Sequence, residues 1–187
     1  MDEQYIDEIL KGNTEAYSFL VEKYKKYTYS LAYRIVRNNE DAEEIAQDAF
    51  IKAYKSLKQF NRKSKFSTWL YKIVYNTAIS KLRKKKIEIS DIYSETIENT
   101  NTIDNINGNS NLETSEKKKF IEKALNNLPY DENILITLYY LNEKSIDEIK
   151  QITNYSIPNI KVKLHRARKK LYAELKLLLK DELISLH

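Results

Sequence analysis

Two stretches of the chain collect the side-chain types that neutralise phosphates and stack on bases. The first runs from Asn61 to Lys86. Arg62, Lys63 and Lys65 sit in a short basic loop, Trp69, Lys72 and Asn76 follow at intervals of three and four residues, and Lys81, Arg83, Lys84, Lys85 and Lys86 close it. Cations at a helix C-terminus complement the macrodipole, but five in six residues exceed what a helix end needs. An aromatic at one end of a helix and a basic cluster at the other suit a surface that holds a nucleic-acid strand. The second stretch is Asn159 to Lys170, where Lys161, Lys163, Arg166, Arg168, Lys169 and Lys170 occur with no acid among them. Either stretch alone could be a solvated cationic face. Two of them in one chain favour a polyanionic partner.

A third candidate surface is acidic. Asp41, Glu44, Gln47 and Asp48 share one flank of a helical pattern. On spacing alone this flank is either an ordinary solvated face or a docking surface for a basic partner.

Other chemistries lack the residues they need. The 187-residue chain has no cysteine, and its two histidines, His165 and His187, cannot build a metal centre alone. No Gly-rich phosphate loop and no carboxylate–histidine pairing stands out, so we expect no catalysis, no metal and no cofactor. The N-terminus lacks a basic segment followed by an apolar run, and no stretch reaches the roughly 18 apolar residues of a membrane span. A cytoplasmic protein with no membrane span is expected.

The elements that must position these groups are helices. Two Gly and two Pro leave few turns. Ala16, Leu20, Tyr24, Tyr27, Leu31 and Ile35 step along one helix face from Thr14 onward. Asn39 is a candidate cap for the next helix, whose apolar stripe is Ala42, Ile45, Ala46, Ala49, Phe50, Ala53 and Leu57. Ser67 is a candidate cap for a helix over 66–86, with Phe66, Leu70, Ile73, Val74 and Ala78 inward. Farther on, Ser145-Ile146-Asp147-Glu148 is a capping box. Asn154 suits a left-handed turn, Ser156 a second cap, and Pro158 a first helical turn. A short helix, a three-residue turn and a long basic helix make a helix-turn-helix.

Charge divides the chain. Residues 1–86 hold 18 Lys/Arg against 11 Asp/Glu; residues 87–116 hold none against seven; residues 117–187 hold 14 against nine. Residues 87–116 also lose sustained helical spacing, so they are expected to form an extended or disordered linker. The fold expected is all-α, with two small helical domains, 1–86 and 117–187, joined by a flexible acidic linker.

The segments DAEEIAQDAFIKAYKSLKQF and KFSTWLYKIVYNTAISKLRKKK resemble the second domain of bacterial RNA polymerase sigma factors of the extracytoplasmic-function (ECF) group. LPYDENILITLYYLNEKSIDEIKQITNYSIPNIKVKLHRARKKL is similar to the fourth. The resemblance implies a promoter-specificity subunit that binds core RNA polymerase and promoter DNA, with an anti-sigma factor as a possible further partner. It implies that Asp41, Glu44, Gln47 and Asp48 dock on the polymerase. Arg62, Lys63, Lys65, Trp69, Lys72, Asn76, Lys81 and Arg83 would then meet the −10 element. There the non-template strand opens, and Asn76 lies near a pocket for an unstacked base. Asn159, Lys161, Lys163, Arg166, Arg168 and Lys169 would read or flank the −35 element. The linker would run where nascent RNA later lies. The family commonly has Gly where Asn154 stands and a small residue where Lys150 stands. The competing reading is an autonomous helix-turn-helix transcription regulator, which would bind its duplex without polymerase.

Overall fold

The computed structural model describes the backbone of residues 2–92 and 112–185, and side chains over 2–85 and 119–178. The described residues are helical and contain no strand. Helices α1 (Asp2–Leu10), α2 (Ala16–Val36), α3 (Asn39–Ser56) and α4 (Phe66–Ile92) make the first half. Helices α5 (Leu112–Asn126), α6 (Tyr130–Ile136), α7 (Ile146–Thr153) and α8 (Ile157–Ser185) make the second.

In the first half, α2, α3 and α4 pack on one another and α1 lies on α2. The alanines of α3 explain the close approach: Ala42, Ala49 and Ala53 are fully buried and present no side chain beyond Cβ. The expected stripe of α3 is buried throughout. That of α2 is buried except at Tyr27, which is exposed, while Thr28 takes the inward position. The Thr28 hydroxyl meets its burial by donating to the Tyr24 and Lys25 carbonyls. The cap of α3 is Asn38 rather than Asn39. Its side chain accepts from the Asp41 amide at 2.8 Å. Asn39 is the first helical residue and instead accepts from the Tyr29 hydroxyl.

Helix α4 differs from expectation in three ways. It begins at Phe66, so Ser67 lies inside it rather than capping it. It continues past Lys86 to Ile92, since nothing from 87 to 92 is Gly or Pro. Likewise α5 starts at Leu112, ahead of 117. The expected linker thus loses both ends to helix, and its remainder, 93–111, lies outside the described residues. Third, α4 is buried on two faces. Phe66, Leu70, Val74 and Ala78 are inward as expected, but Ser67, Thr68, Tyr71 and Tyr75 are buried as well.

That second face is covered by the other half of the chain. Helix α7 packs along α4, and α6 along α2. Within the second half, α8 packs on α5, α6 and α7 through Ile160, Leu164 and Ala167. Between α6 and α7 lies a single π-helical turn, Thr137–Leu141, closed by the Asn142 amide on the Thr137 carbonyl at 2.9 Å.

Candidate nucleic-acid interface

The helix-turn-helix forms as its local signals require. Ser145 accepts from the Glu148 amide, and the Glu148 carboxylate accepts from the Ser145 amide at 2.9 Å. Asn154 ends α7 in the left-handed conformation, at φ 61°. An asparagine there is tolerated where most side chains would strain. The Ser156 hydroxyl receives the Asn159 amide, and Pro158 occupies the first turn of α8, where no intrahelical N–H is lost. Lys150 is exposed, so its length costs the packing of α7 nothing.

Helix α8 presents Asn159, Lys161, Arg166, Arg168 and Lys169 to solvent. Among the described residues no ion pair involves Lys161, Arg166, Arg168 or Lys169. Lys163 is different. It is half-buried, pairs with Asp131 of α6 at 2.7 Å, and lies over the Tyr155 ring. Lys170 pairs with Glu132 at 3.0 Å. Lys163 and Lys170 are therefore neutralised internally, while Lys161, Arg166, Arg168 and Lys169 carry the open charge.

On α4, Lys72, Asn76 and Arg83 lie on the outward side, as their spacing predicts. Asn76 is exposed at a shallow cleft of about 350 Å³ between α3 and α4. Lys52, Ser56, Ile73, Thr77 and Ser80 complete the lining, with Lys52 donating to the Thr77 hydroxyl at 3.2 Å. The sequence reading did not single out Lys52, because only the α3–α4 contact brings it to the residues beside Asn76. Trp69 is half-buried. Its ring lies 5.1 Å from Phe60 and 5.8 Å from Phe66, so part of its surface is core and part remains available for stacking.

Several of the candidate cations already hold carboxylates. Arg62 pairs with Glu3 and Asp7 of α1. Lys81 pairs with Asp41 at 2.8 Å and Glu44 at 2.6 Å, and Lys85 approaches Asp41 at 3.5 Å. The hydrogen bond from Lys81 is the main reason the Asp41 carboxyl is held below its ordinary range. The acidic flank of α3 and the basic end of α4 thus meet. Lys81 faces α3, apart from the outward row of Lys72 and Asn76. Glu44, Gln47 and Asp48 are exposed, and Asp41 is partly covered.

The two halves meet at the start of α4. Glu148 accepts from the Thr68 hydroxyl at 2.8 Å and lies 3.6 Å from the Lys65 ammonium. Burial alone would raise the Glu148 carboxyl. The Ser145 amide, the Thr68 hydroxyl and the Lys144 and Lys65 ammoniums outweigh it and hold the carboxyl below its usual range. Lys144 is buried; it donates to Ser67 at 2.7 Å and lies 5.1 Å over the Tyr71 ring. That burial lowers its ammonium pKa. Farther along the seam, buried Arg34 pairs with Glu122 and donates to Asn126 at 3.0 Å. Arg37 donates to the Leu128 carbonyl at 2.6 Å and lies 4.0 Å over the Tyr130 ring.

The family model for Sigma-70 region 2 matches residues 20–87, which hold α3 and the Asn76 cleft. The model for Sigma-70 region 4 matches residues 121–171, which hold the helix-turn-helix. The ECF RNA polymerase sigma factor SigW of Bacillus subtilis is 33% identical, with 94% of this chain and 97% of that protein aligned. The ECF RNA polymerase sigma-E factor of Escherichia coli K12 is also 33% identical, over 90% of this chain and 93% of that protein. Among solved structures, the sigma factor RpoE of Bartonella quintana, in complex with the anti-sigma factor NepR, matches with a TM-score of 0.69. The alignment has 26% identity over 85% of this chain and 96% of that one. CnrH, solved with the cytosolic domain of CnrY, shares the fold at a TM-score of 0.64 and 20% identity. With both family regions in order and full-length relatives a third identical, the chain belongs to the ECF group of RNA polymerase sigma factors.

Proposed function

We propose that the chain binds core RNA polymerase and directs it to promoters by using α4 on the −10 element and α8 on the −35 element. The observation that carries this reading is the presence of two separate cationic surfaces on the two family regions, one beside a polar cleft and one on a helix-turn-helix. In this reading residues 1–86 are the −10 and polymerase-binding domain and 117–187 the −35 domain, with 87–116 between them. Asp41, Glu44, Gln47 and Asp48 meet the polymerase. Asn76, at the mouth of the α3–α4 cleft, offers an amide that pairs with a base edge. Trp69 stacks, and Lys72, Arg83, Lys63, Lys65 and Arg62 neutralise phosphates, the last two after releasing their carboxylates. Lys81 acts the same way once freed from Asp41 and Glu44.

On the second surface, Asn159, Lys161, Arg166, Arg168 and Lys169 enter or flank the major groove. Lys163, tied to Asp131, contributes less. The chain acts in the cytoplasm as a specificity subunit rather than an enzyme, and an anti-sigma factor is a further partner that fits it. No described helix is long and apolar enough to cross a membrane.

The test is transcription from a library of promoter DNAs by purified core polymerase, with and without the chain. Specific starts that appear only with the chain, from promoters sharing two spaced elements, support the reading. A chain that leaves the polymerase unchanged and selects a duplex by itself is instead a regulator.

A further inference from the structure

Most of what α8 shows to solvent along its first turns is charge, and one residue interrupts it. Among the exposed residues from 159 to 170, only Val162 is apolar. It is 48% exposed. Solitary exposed apolar residues are ordinary on a protein surface. The place of this one is not. The buried stripe of α8 passes through Ile160, Leu164 and Ala167. At about 100° per residue, Val162 lies roughly 200° from Ile160, in the middle of the side turned away from the core. Asn159 stands three residues before it and Arg166 four after it, so both are its neighbours on that surface.

The position is also early in the helix. α8 starts at Ile157, and the left-handed Asn154 and the Ser156 cap fix where that start lies. A recognition helix meets base edges with its N-terminal residues. Val162 is therefore placed to meet a base, with an amide on one side and a guanidinium on the other.

A valine side chain neither donates nor accepts a hydrogen bond. Every base pair shows donors and acceptors in the major groove, but the only apolar group there is the 5-methyl of thymine. Against a polar base edge, the isopropyl group would displace water and leave that edge unpaired. Against a thymine methyl, it removes apolar area from water on both sides. Branching at Cβ adds stiffness. In a helix valine holds one χ1 rotamer in about 90% of cases, so its methyl groups are placed before the DNA arrives.

We propose that Val162 is a specificity residue of the −35 surface, packing its methyl groups on the 5-methyl group of one thymine in the major groove. The inference rests on the −35 role proposed above for α8. Asn159 and Arg166 hold the bases and phosphates on either side, and Val162 makes the pair between them A·T, with thymine on the contacted strand.

Thymine and deoxyuridine pair identically and differ by that methyl group alone, which isolates the contact. The DNA is a promoter selected by core polymerase with the full chain in the library experiment. Each thymine of its −35 element, on either strand, is replaced singly by deoxyuridine. Binding of the polymerase–chain complex is then measured by competition. The expected result is one position at which the replacement weakens binding roughly fourfold, the effect of one buried methyl group. Val162→Ala removes both methyl groups from an exposed site and keeps a good helix former. It should bind the thymine and deoxyuridine forms equally. Val162→Ile, which keeps an apolar branched tip, should retain the preference.

Binding that is indifferent to every thymine methyl in the −35 element overturns the proposal, as does a −35 element with no A·T pair. So does a methyl effect that Val162→Ala leaves intact, because another group then reads it. A chain that directs no specific transcription with core polymerase overturns the sigma-factor reading itself, and with it the role of α8 on which Val162 depends.

Discussion

The interior of each half is largely apolar, while the seam between the halves adds charged and polar pairs to its buried aromatic rings. Inside the first half the contacts are Leu20, Leu31, Ile35, Ile45, Leu70 and Val74, all nearly or completely excluded from solvent. At the seam the named contacts are an arginine on a glutamate, a lysine on a serine, a glutamate on a threonine and a guanidinium over a ring. Burying apolar area stabilises in proportion to the area and asks nothing of geometry. Burying a charge first costs its hydration, and only a well-placed partner offsets that. The difference teaches which joint is the weaker: the interior rests mainly on apolar burial, whereas the seam adds to its buried Tyr71 and Tyr75 charged groups that regain hydration on opening.

The largest effect that would sharpen this contrast lies in the interior. Leu70→Ala removes most of a fully buried side chain and should cost about 2–5 kcal/mol in a urea titration. A loss well under 1 kcal/mol would mean that the α2–α3–α4 core repacks freely.

Next comes the seam itself. Glu122→Leu strands the Arg34 guanidinium, which is only 3% exposed, and should cost up to about 3 kcal/mol. Adding Arg34→Met should return most of that loss, because two apolar chains replace the pair. If the double variant is as unstable as the single, the ion pair is a stabilising contact and the contrast fails.

The seam phenols offer a pH test of smaller size. Burial pushes Tyr71 up to about 12 and also raises Tyr75 and Tyr155. The contribution of such groups to stability is fully present below their ordinary value of 10.0 and is lost as pH rises through the folded value. Stability should therefore hold to about pH 10 and fall toward 12, and Tyr71→Phe, which removes one of these phenols, should make that fall shallower in urea titrations taken across the range. An unchanged pH profile in the variant would show that Tyr71 ionises as readily in the folded chain as in the unfolded one.

The smallest effect separates two cations of one helix. Arg166→Ala should reduce the salt slope of −35 duplex binding by about one. Lys163→Ala should leave the slope nearly unchanged, because Lys163 is committed to Asp131. Equal slopes would show that the Asp131 pair gives way to phosphate at no cost.

Signals that act over a few residues were legible in the sequence. The capping box, the left-handed Asn154 and the Pro158 first turn each appear where spacing placed them. The α3 stripe is buried without exception. Caps slipped where two candidates adjoin: Asn38 and Asn39 compete for one role, and only the chain's entry angle decides. The second buried face of α4 was not legible. Ser67 and Thr68 are polar, and Tyr71 and Tyr75 fit either a surface or a core, so periodicity alone gives no reason to cover them. The pairing of candidate cations with acids far along the chain, such as Lys163 with Asp131 or Lys65 with Glu148, depends on tertiary placement that no local spacing encodes.

The π-helical turn at Thr137–Leu141 bears on length rather than on charge. A π turn holds one residue more than an α turn over the same rise, and each residue advances an α-helix by about 100°. That extra residue sets the angle at which the chain leaves α6. It keeps Leu138 inward while Tyr139, Tyr140 and Leu141 face out. Deleting any one residue there would swing everything after it by about a quarter turn. Lys144 would leave Ser67, and Glu148 would leave Thr68, with every side chain of the seam intact. The phase of one turn, and not the identity of its residues, aligns α7 with α4.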